Sequence, residues 1–236
     1  MLHFLHQGSM QIRVMETPEY RWLLFDDYLQ SVMDKAQPHY PVLPHMHAQL
    51  LALFYQARPH HIVELGLGGG SLARYFQHFF PASNLTSIEL EPLVTETYQQ
   101  FFNPVADHNI ISGDAEHLVH KLQNVDLLFV DLFNANSSPD FIFESTFYEA
   151  CLAALSASGV LIVNVVPSLQ LQSELVLELL SDLTPRKPDI FSAPGFQNRV
   201  FLLPANQVTA PLQYNDTLIQ LCQRYQIELN HIVKLR

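Results

Sequence analysis

The stretch that decides the fold reads IVELGLGGGS over residues 62–71. Its first four residues form a short, largely apolar run, which predicts a buried β-strand that ends at Leu65. The glycines at 66, 68, 69 and 70 then predict a turn whose backbone can adopt positive φ angles and approach a ligand closely. Ser71 is expected to cap a helix whose first free N–H groups point back to the turn. A dinucleotide fingerprint requires a third glycine where this chain has Ser71, so that fingerprint is not matched.

The same alternation of strand and helix continues after the turn. Further strands are predicted at 85–90, 109–112, 125–131 and 159–166, with amphipathic helices between them. Continuous apolar strands between such helices indicate a parallel sheet that is covered on both faces. The runs 188–192 and 199–203 are joined by Pro194-Gly195 and predict a hairpin. We therefore predict an α/β, Rossmann-like fold: a mostly parallel seven-stranded sheet with an antiparallel last strand.

The N-terminal part of the chain has a different pattern. Short β-type runs at 11–16, 20–25 and 28–33 predict a small N-terminal β-element over residues 10–43. A Rossmann-like nucleoside-binding domain is predicted over residues 44–236. Gly8-Ser9-Met10 resembles a cloning junction or an alternative start, so the first nine residues are left out of the fold prediction.

The composition excludes several classes of protein. Hydrophobic residues make up 48% of the 236 residues, which is enough for a core and excludes a disordered chain. The formal net charge of −11 disfavours binding to a nucleic-acid backbone. The sequence has no signal-peptide pattern, no apolar run of the ~18 residues that a membrane span requires, and two isolated cysteines. We expect a soluble cytoplasmic protein with neither a nucleic-acid nor a membrane partner.

Three features follow successive predicted strands, where open α/β sheets bind their ligands. The first is the E-x-G-x-G turn, in which Glu64, Gly66, Leu67 and Gly68 would line a nucleoside site. A purely structural turn is the alternative, because turn glycines are common.

The second feature is Glu89 with its neighbour Leu90, 23 residues beyond Gly66. A carboxylate at this separation can accept hydrogen bonds from both ribose hydroxyls, and Glu91 is the competing acid. The third feature is Asp114 with Ala115. Asp114 could accept from an adenine amino group while the Ala115 amide donates to a ring nitrogen, although a helix N-cap is the alternative role for Asp114.

The fourth predicted strand ends at Asp131. A carboxylate at the tip of a buried strand is a candidate for substrate contact or for base catalysis, and a structural loop or capping role is the alternative. The loop over residues 132–143 contains Asn134 and would serve as a lid or as an ordinary surface loop. Twelve histidines include only scattered pairs, so no metal site is expected.

With these residues the chain resembles the spermidine synthase (polyamine aminopropyltransferase) family of the S-adenosylmethionine-dependent methyltransferase superfamily. The segment FDDYLQS at residues 25–31 is similar to the family's L-D-G-x-x-Q-S/T motif. The resemblance implies a Rossmann-like domain behind a small β-domain, and a homodimer. It also implies that Gln30, Glu89, Asp114 and Asp131 line a site for nucleoside and amine.

The chain also departs from the family pattern. The aspartate of the family's G-G-G-D-G turn falls on Gly69, the second acid of its D-x-x-D pair is Asn134, and its Y-H-E segment is reduced to Tyr40-Pro41-Val42. Aminopropyl transfer to a polyamine needs carboxylates that hold a polycation and accept a proton, so ordinary polyamine synthesis is not expected. We therefore predict a transferase that binds a sulfonium nucleoside, and we favour a methyltransferase, because the sulfonium is already electrophilic and the protein needs only to position an acceptor. An aminopropyltransferase with an altered acceptor and a non-catalytic nucleoside binder are the alternatives. The expected cofactor is S-adenosylmethionine or its decarboxylated form, and the expected partner is a small-molecule acceptor, with an amine as one candidate.

Overall fold

The computed structural model describes residues 3–7, 10–103, 108–133, 138–167, 170–206 and 210–235. Its first sheet is antiparallel and contains strands β1 (His3–Gln7), β2 (Met10–Glu16), β3 (Tyr20–Phe25) and β4 (Tyr28–Asp34), in chain order. The three strands predicted after residue 10 are confirmed. Leaving out the first nine residues was wrong, because β1 lies within them and pairs with β2. The division at residue 43 stays a prediction.

The second sheet has eight strands in the described part of the chain. They are β5 (His61–Leu65), β6 (Asn84–Glu89), β7 (Asn109–Ser112), β8 (Val125–Val130), β9 (Leu155–Val165), β10 (Asp189–Ser192), β11 (Arg199–Pro204) and β12 (Val233–Lys234). Their order is β12-β10-β11-β9-β8-β5-β6-β7. The pairs from β9 through β8, β5 and β6 to β7 are parallel, whereas β11 runs antiparallel to both β9 and β10. The seven predicted strands are confirmed, and β12 is a further edge strand that was not predicted.

Helices cover the two faces of this sheet. They are α1 (Pro44–Leu50), α2 (Ser71–Phe79), α3 (Pro92–Thr97), α4 (Ala115–Leu118), α5 (Ser145–Ala154), α6 (Gln170–Leu183) and α7 (Asp216–Arg224). Leu127 and Phe129 of β8 pack in one hydrophobic cluster with α1, α2 and α7, while Leu128 and Val130 pack in a second cluster with α5 and α6. Alternate residues of β8 therefore face opposite sides, which explains why its sequence is apolar throughout. Within the described residues, no helix has both the length and the apolarity that a membrane span requires.

The small sheet packs against the end of β5. Ile12, Val14 and Leu23 form a third hydrophobic cluster with Leu67 of the glycine turn and with residues of α3 and of the π-helical turn (Tyr98–Phe102) that follows it. The guanidinium of Arg74 is buried and donates to the Pro38 carbonyl at 2.7 Å, to the Phe102 carbonyl at 3.1 Å and to the carbonyl of Gly69. These contacts hold the small sheet, and the segment that follows β4, against the glycine turn.

The strand register brings the ends of four strands to one edge of the large sheet. Leu65 of β5 lies opposite Ile88 of β6 and Val130 of β8, and Glu89 lies opposite Ser112 of β7. The strand order reverses at β5, so this edge is the switch point at which open α/β sheets bind ligands.

Candidate functional site

The glycine turn lies tightly against its neighbours. Gly66, Gly68 and Gly70 have φ angles of +91°, +50° and +65°, which side-chain-bearing residues rarely adopt. A Cβ atom on Gly66 would lie 2.3 Å from the carbonyl oxygen of Asp131. The Gly66 N–H donates to the Ile88 carbonyl at 2.9 Å. Only glycine therefore fits at position 66.

The predicted cap of α2 was wrong. Gly70, not Ser71, occupies the N-cap position, and no side chain caps this helix. A left-handed residue is needed where the turn enters α2, and the ring of Tyr98 lies where a side chain on Gly70 would lie. The adjacent Gly69 N–H donates to Ser31 Oγ at 3.0 Å, which ties the turn to β4.

Glu89 lies at the end of β6 and binds the glycine turn. Its Oε2 accepts from the Leu67 N–H at 2.9 Å, and its Oε1 accepts from the Glu91 N–H at 3.0 Å. Burial raises the pKa of this carboxyl, and the backbone N–H groups that it binds oppose the shift. The N–H groups of Gly68 and Leu90 also face this carboxyl. Only the two hydrogen bonds from Leu67 and Glu91 have normal distances, and a carboxylate can accept about four, so it has capacity left for a diol.

Asp114 is the N-cap of α4, which was the alternative role considered for it. Its Oδ1 accepts from the Glu116 N–H at 2.9 Å, and its Oδ2 lies 3.3 Å from His117 Nδ1. Capping occupies only part of its acceptor capacity, and Asp114 also lines the same cavity as Glu89.

Two cavities meet at this edge of the sheet. The first, of about 410 Å³ and here named the β6–β7 cavity, is lined on one side by Glu89, Leu90, Gly113, Asp114 and Ala115. The second, of about 330 Å³ and here named the α1 cavity, is lined by residues that include Leu43, His45, Met46, Glu64, Leu67 and Phe196. Both are lined by Gln30, Gly66, Gly68, Asp131 and Phe133, which form the junction of the cavities.

Asp131 is held at the junction by amide groups. Its Oδ2 accepts from Gln49 Nε2 at 3.0 Å, and its Oδ1 accepts from Asn164 Nδ2 at 2.7 Å. Asn164 Oδ1 in turn accepts from Asn198 Nδ2 at 3.0 Å. Burial raises the pKa of Asp131, and the two amide donors oppose that shift. The salt bridges among the described residues do not include Asp131, so a cation placed at the junction would be its first charged partner.

Glu64 is a second carboxyl in the α1 cavity. It is only 3% exposed, and its Oε2 accepts from Ser87 Oγ at 2.6 Å. Burial, followed by the negative charges of Asp131 and Glu89, raises the pKa of Glu64 to about 8, while the Ser87 hydrogen bond opposes the shift. Glu64 is therefore mainly protonated at pH 7 and can donate a hydrogen bond.

Ten of the eleven predicted site residues line one or both cavities: Gln30, Glu64, Gly66, Leu67, Gly68, Glu89, Leu90, Asp114, Ala115 and Asp131. Asn134, the eleventh, lies outside the described residues. Whether these side chains bind a cofactor stays a prediction. Gln49, Asn198 and Asn164 were not predicted from the sequence. Of these, only Asn164 had a signal, as the single polar residue in the apolar run 159–166.

The expectation that no metal binds stays untested. Among the described residues, Asp114, Glu116 and His117 bring potential ligand atoms within 4.8 Å of one another. His117 is exposed, and Asp114 already caps α4, so the group has a structural role without an ion.

Comparisons with known proteins find aminopropyltransferases that are similar in sequence, and spermidine synthases and methyltransferases that are similar in fold. No protein-family model matches the chain. A polyamine aminopropyltransferase of Neisseria meningitidis serogroup A is 31% identical over 163 residues, which are 66% of this chain and 62% of the relative. The match thus spans less than two thirds of the relative's length.

Two solved structures share the fold. A probable spermidine synthase from Corynebacterium glutamicum superposes with a TM-score of 0.81 at 17% identity, over 95% of this chain and 86% of that chain. Human methyltransferase-like protein 13 in complex with SAH superposes with a TM-score of 0.66 at 20% identity, over 78% of this chain and 91% of that chain. The predicted resemblance to spermidine synthases and the predicted fold class are confirmed.

Proposed function

We propose that this spermidine synthase-like chain is a transferase that binds S-adenosylmethionine in the β6–β7 cavity and methylates a small molecule in the α1 cavity. One observation carries the proposal. The carboxyl groups of Glu89 and Asp114, from the ends of neighbouring strands, line one cavity beside a glycine turn on which Gly66 allows no side chain.

The cavity residues fit an adenosyl group. The remaining acceptor capacity of the Glu89 carboxylate suits the two ribose hydroxyls, and that of Asp114 suits the adenine amino group. Leu90 is 58% exposed beside them and offers an apolar surface to the flat face of a base. The volume of about 410 Å³ lies within the range of small-molecule sites.

Asp131 suits a sulfonium at the junction of the cavities. The half-buried carboxylate has two neutral amide donors, so a cation beside it would recover part of the cost of its burial. A bound sulfonium supplies a methyl group that is already electrophilic. The chain has only to hold an acceptor in line with that methyl and to take up the proton that the acceptor loses.

Aminopropyl transfer to an altered amine is the second candidate. The aminopropyltransferase relative favours it at 31% identity. Against it, Asn134 occupies the position of the second acid, and no Lys, Arg or acid other than Glu64 and Asp131 is among the described residues that line the α1 cavity. With Asp131 beside the sulfonium, Glu64 is the one acid left among the described lining residues to face the far ammonium of a diamine, and burial raises its pKa to about 8, so it is mainly protonated until a cation binds. We therefore favour methyl transfer. We also propose that the protein is a homodimer, as the resemblance to spermidine synthases implies.

A thermal-melting panel tests the cofactor assignment. The ligands are S-adenosylmethionine, its decarboxylated form, methylthioadenosine and NAD. Ligand at 100 times its Kd should add about 2.7 kcal/mol to the free energy of unfolding, which is roughly a 5–10 °C rise in Tm for a chain of this size. The proposal predicts the largest rise with S-adenosylmethionine. A larger rise with the decarboxylated ligand favours aminopropyl transfer, and stabilisation by NAD alone contradicts both.

A further inference from the structure

A chain of hydrogen bonds leads from the α1 cavity to the opposite side of β6. Glu64 Oε2 on β5 is bonded to Ser87 Oγ on β6 at 2.6 Å. Ser87 Oγ is 2.9 Å from His108 Nε2, and His108 Nδ1 is 3.0 Å from the Tyr98 hydroxyl. Glu64, Ser87 and Tyr98 are buried, whereas the imidazole of His108 is half-buried and retains contact with solvent. The proposed function assigns no role to Ser87 or His108.

The protonation state of Glu64 sets the direction of every hydrogen bond in this chain. When Glu64 is ionised, Ser87 donates to it. Ser87 Oγ must then accept from an Nε2–H of His108, and Nδ1 accepts from Tyr98. When Glu64 is protonated, its O–H can donate to Ser87, which then donates to Nε2, so that the His108 proton lies on Nδ1. The two arrangements differ by one proton and by the tautomer of a neutral imidazole.

We propose that Glu64, Ser87 and His108 form a proton-exchange chain that lets the α1 cavity take up or release one proton without opening to water. The inference rests on the proposed function for its catalytic meaning. The coupling between Glu64 and His108 can itself be tested in the protein without a ligand.

Charged groups near the hydrogen-bond chain determine the pH at which Glu64 ionises. Asp131 and Glu89 face Glu64 and raise its pKa together with burial, to about 8, while Arg74 from α2 acts in the opposite direction. Burial lowers the pKa of His108 to about 4, so the imidazole stays neutral near pH 7 and responds through its tautomer. A cation bound near Glu64 lowers the pKa of this carboxyl, because it stabilises the carboxylate.

This coupling keeps the charge of the cavity constant during transfer. When a sulfonium binds, the Glu64 proton passes to Ser87 Oγ and the Ser87 proton passes to Nε2. The half-buried imidazole releases its Nδ1 proton to solvent, and the Tyr98 hydroxyl, which keeps its own proton, turns to donate to Nδ1. After the methyl–sulfur bond breaks and the new methyl–acceptor bond forms, the sulfur is neutral and the acceptor carries one extra proton. The Glu64 carboxylate accepts that proton, so that no net charge remains in the cavity.

Nitrogen-15 NMR of the histidine rings tests the coupling in the whole protein. The His108 signals are assigned by their loss in His108→Asn. We expect the proton to lie on Nδ1 at pH 6.5 and to move to Nε2 with a midpoint near pH 8. Glu64→Gln should abolish the transition, because an amide does not ionise in this range. Ser87→Ala should abolish it too, because it removes the link. A His108 tautomer that is unchanged from pH 6 to 10, or that still switches in Glu64→Gln, would overturn the proposal.

Two matched ligands then test the catalytic meaning at pH 7. S-adenosylmethionine carries a sulfonium, and S-adenosylhomocysteine has a neutral sulfur in its place. With binding of each ligand confirmed by calorimetry, only the sulfonium should move the His108 proton to Nε2. If both ligands bind and neither changes the tautomer, the link to transfer is wrong while the proposed function stands. If neither ligand binds, the proposed function fails. The pH titration then still decides whether Glu64 and His108 are coupled through Ser87.

Discussion

Replacing Glu89 with glutamine separates the two roles that the structure assigns to this carboxylate. Oε2 binds the Leu67 N–H at 2.9 Å, and Oε1 binds the Glu91 N–H at 3.0 Å, while the remaining acceptor positions are proposed to bind ribose. Glutamine keeps the shape of the side chain but offers one oxygen and one donor. One backbone N–H would then face the new amide N–H, and one ribose hydroxyl would lose its acceptor.

The two losses differ in size. An unsatisfied buried N–H costs about 1–3 kcal/mol, but the raised pKa of Glu89 shows that its burial already disfavours the charge, so a neutral amide recovers part of this cost. We expect a net loss of about 1 kcal/mol in the free energy of unfolding, or roughly 2–4 °C in Tm. A lost charge-assisted bond to ribose is worth about 1.5–3 kcal/mol, which raises the Kd for S-adenosylmethionine about 10- to 150-fold.

Isothermal titration calorimetry with S-adenosylmethionine measures the effect on Kd, and urea denaturation measures the effect on stability. Glu91→Gln is the matched control, because Glu91 is the nearby competing acid and contributes only its backbone N–H to the network. We expect its Kd to stay within about threefold of wild type. Equal loss of affinity in both variants, or no loss in Glu89→Gln, would refute the ribose assignment.

Three further changes test other parts of the account. Glu64→Gln should flatten the pH dependence of stability, because a carboxyl whose pKa is raised from 4.5 to about 8 stabilises the fold fully below pH 4.5 and loses that contribution as the pH rises to 8. Urea denaturation should therefore show that wild type loses up to about 1.4 kcal/mol per pH unit relative to the variant. Parallel pH dependences of wild type and variant would contradict the raised pKa of Glu64. Gly66→Ala and Gly195→Ala both place a side chain at a positive φ (+91° and +83°), but the new Cβ would lie 2.3 Å from a carbonyl oxygen only at position 66. Gly195→Ala should lower the free energy of unfolding by about 1–2 kcal/mol, and Gly66→Ala should lower it clearly more. Similar Tm values for the two variants would contradict the tight packing of the glycine turn. Asp131→Asn should leave stability within about 1 kcal/mol, because the Gln49 amide can rotate and present its unpartnered Oε1 to the new amide. Methyl transfer, followed by mass spectrometry once an acceptor is found, should fall at least about 100-fold, because the charge that faces the sulfonium is lost. Unchanged turnover would exclude Asp131 from the transfer step.

The sequence predicted the parts of the fold that depend on local pattern. Strand β8 was predicted because both of its faces are buried, so its sequence is apolar without interruption. Glu89, Asp114 and Asp131 were predicted because the ends of parallel strands meet at one edge, so an acid after each strand must lie near the others.

Features that depend on distant pairing were not predictable in this way. Strand β12 has two residues, and its place is determined by pairing with β10, about forty residues earlier in the chain. One of the amides that bind Asp131 belongs to Gln49, 82 residues away on α1. The hydrophobic periodicity of α1 identifies its buried face but does not indicate which distant residue Gln49 binds. The position of the α2 cap depends on the ring of Tyr98 beside Gly70, which no local pattern records.

A crystal structure of the protein with S-adenosylhomocysteine would show where the adenosyl group binds. We predict that both ribose hydroxyls lie about 2.6–3.2 Å from the Glu89 carboxylate. We also predict the adenine amino group at Asp114 and the sulfur at the junction of the two cavities beside Asp131. A nucleoside bound outside the β6–β7 cavity, or bound in it with the ribose away from Glu89, would contradict the account.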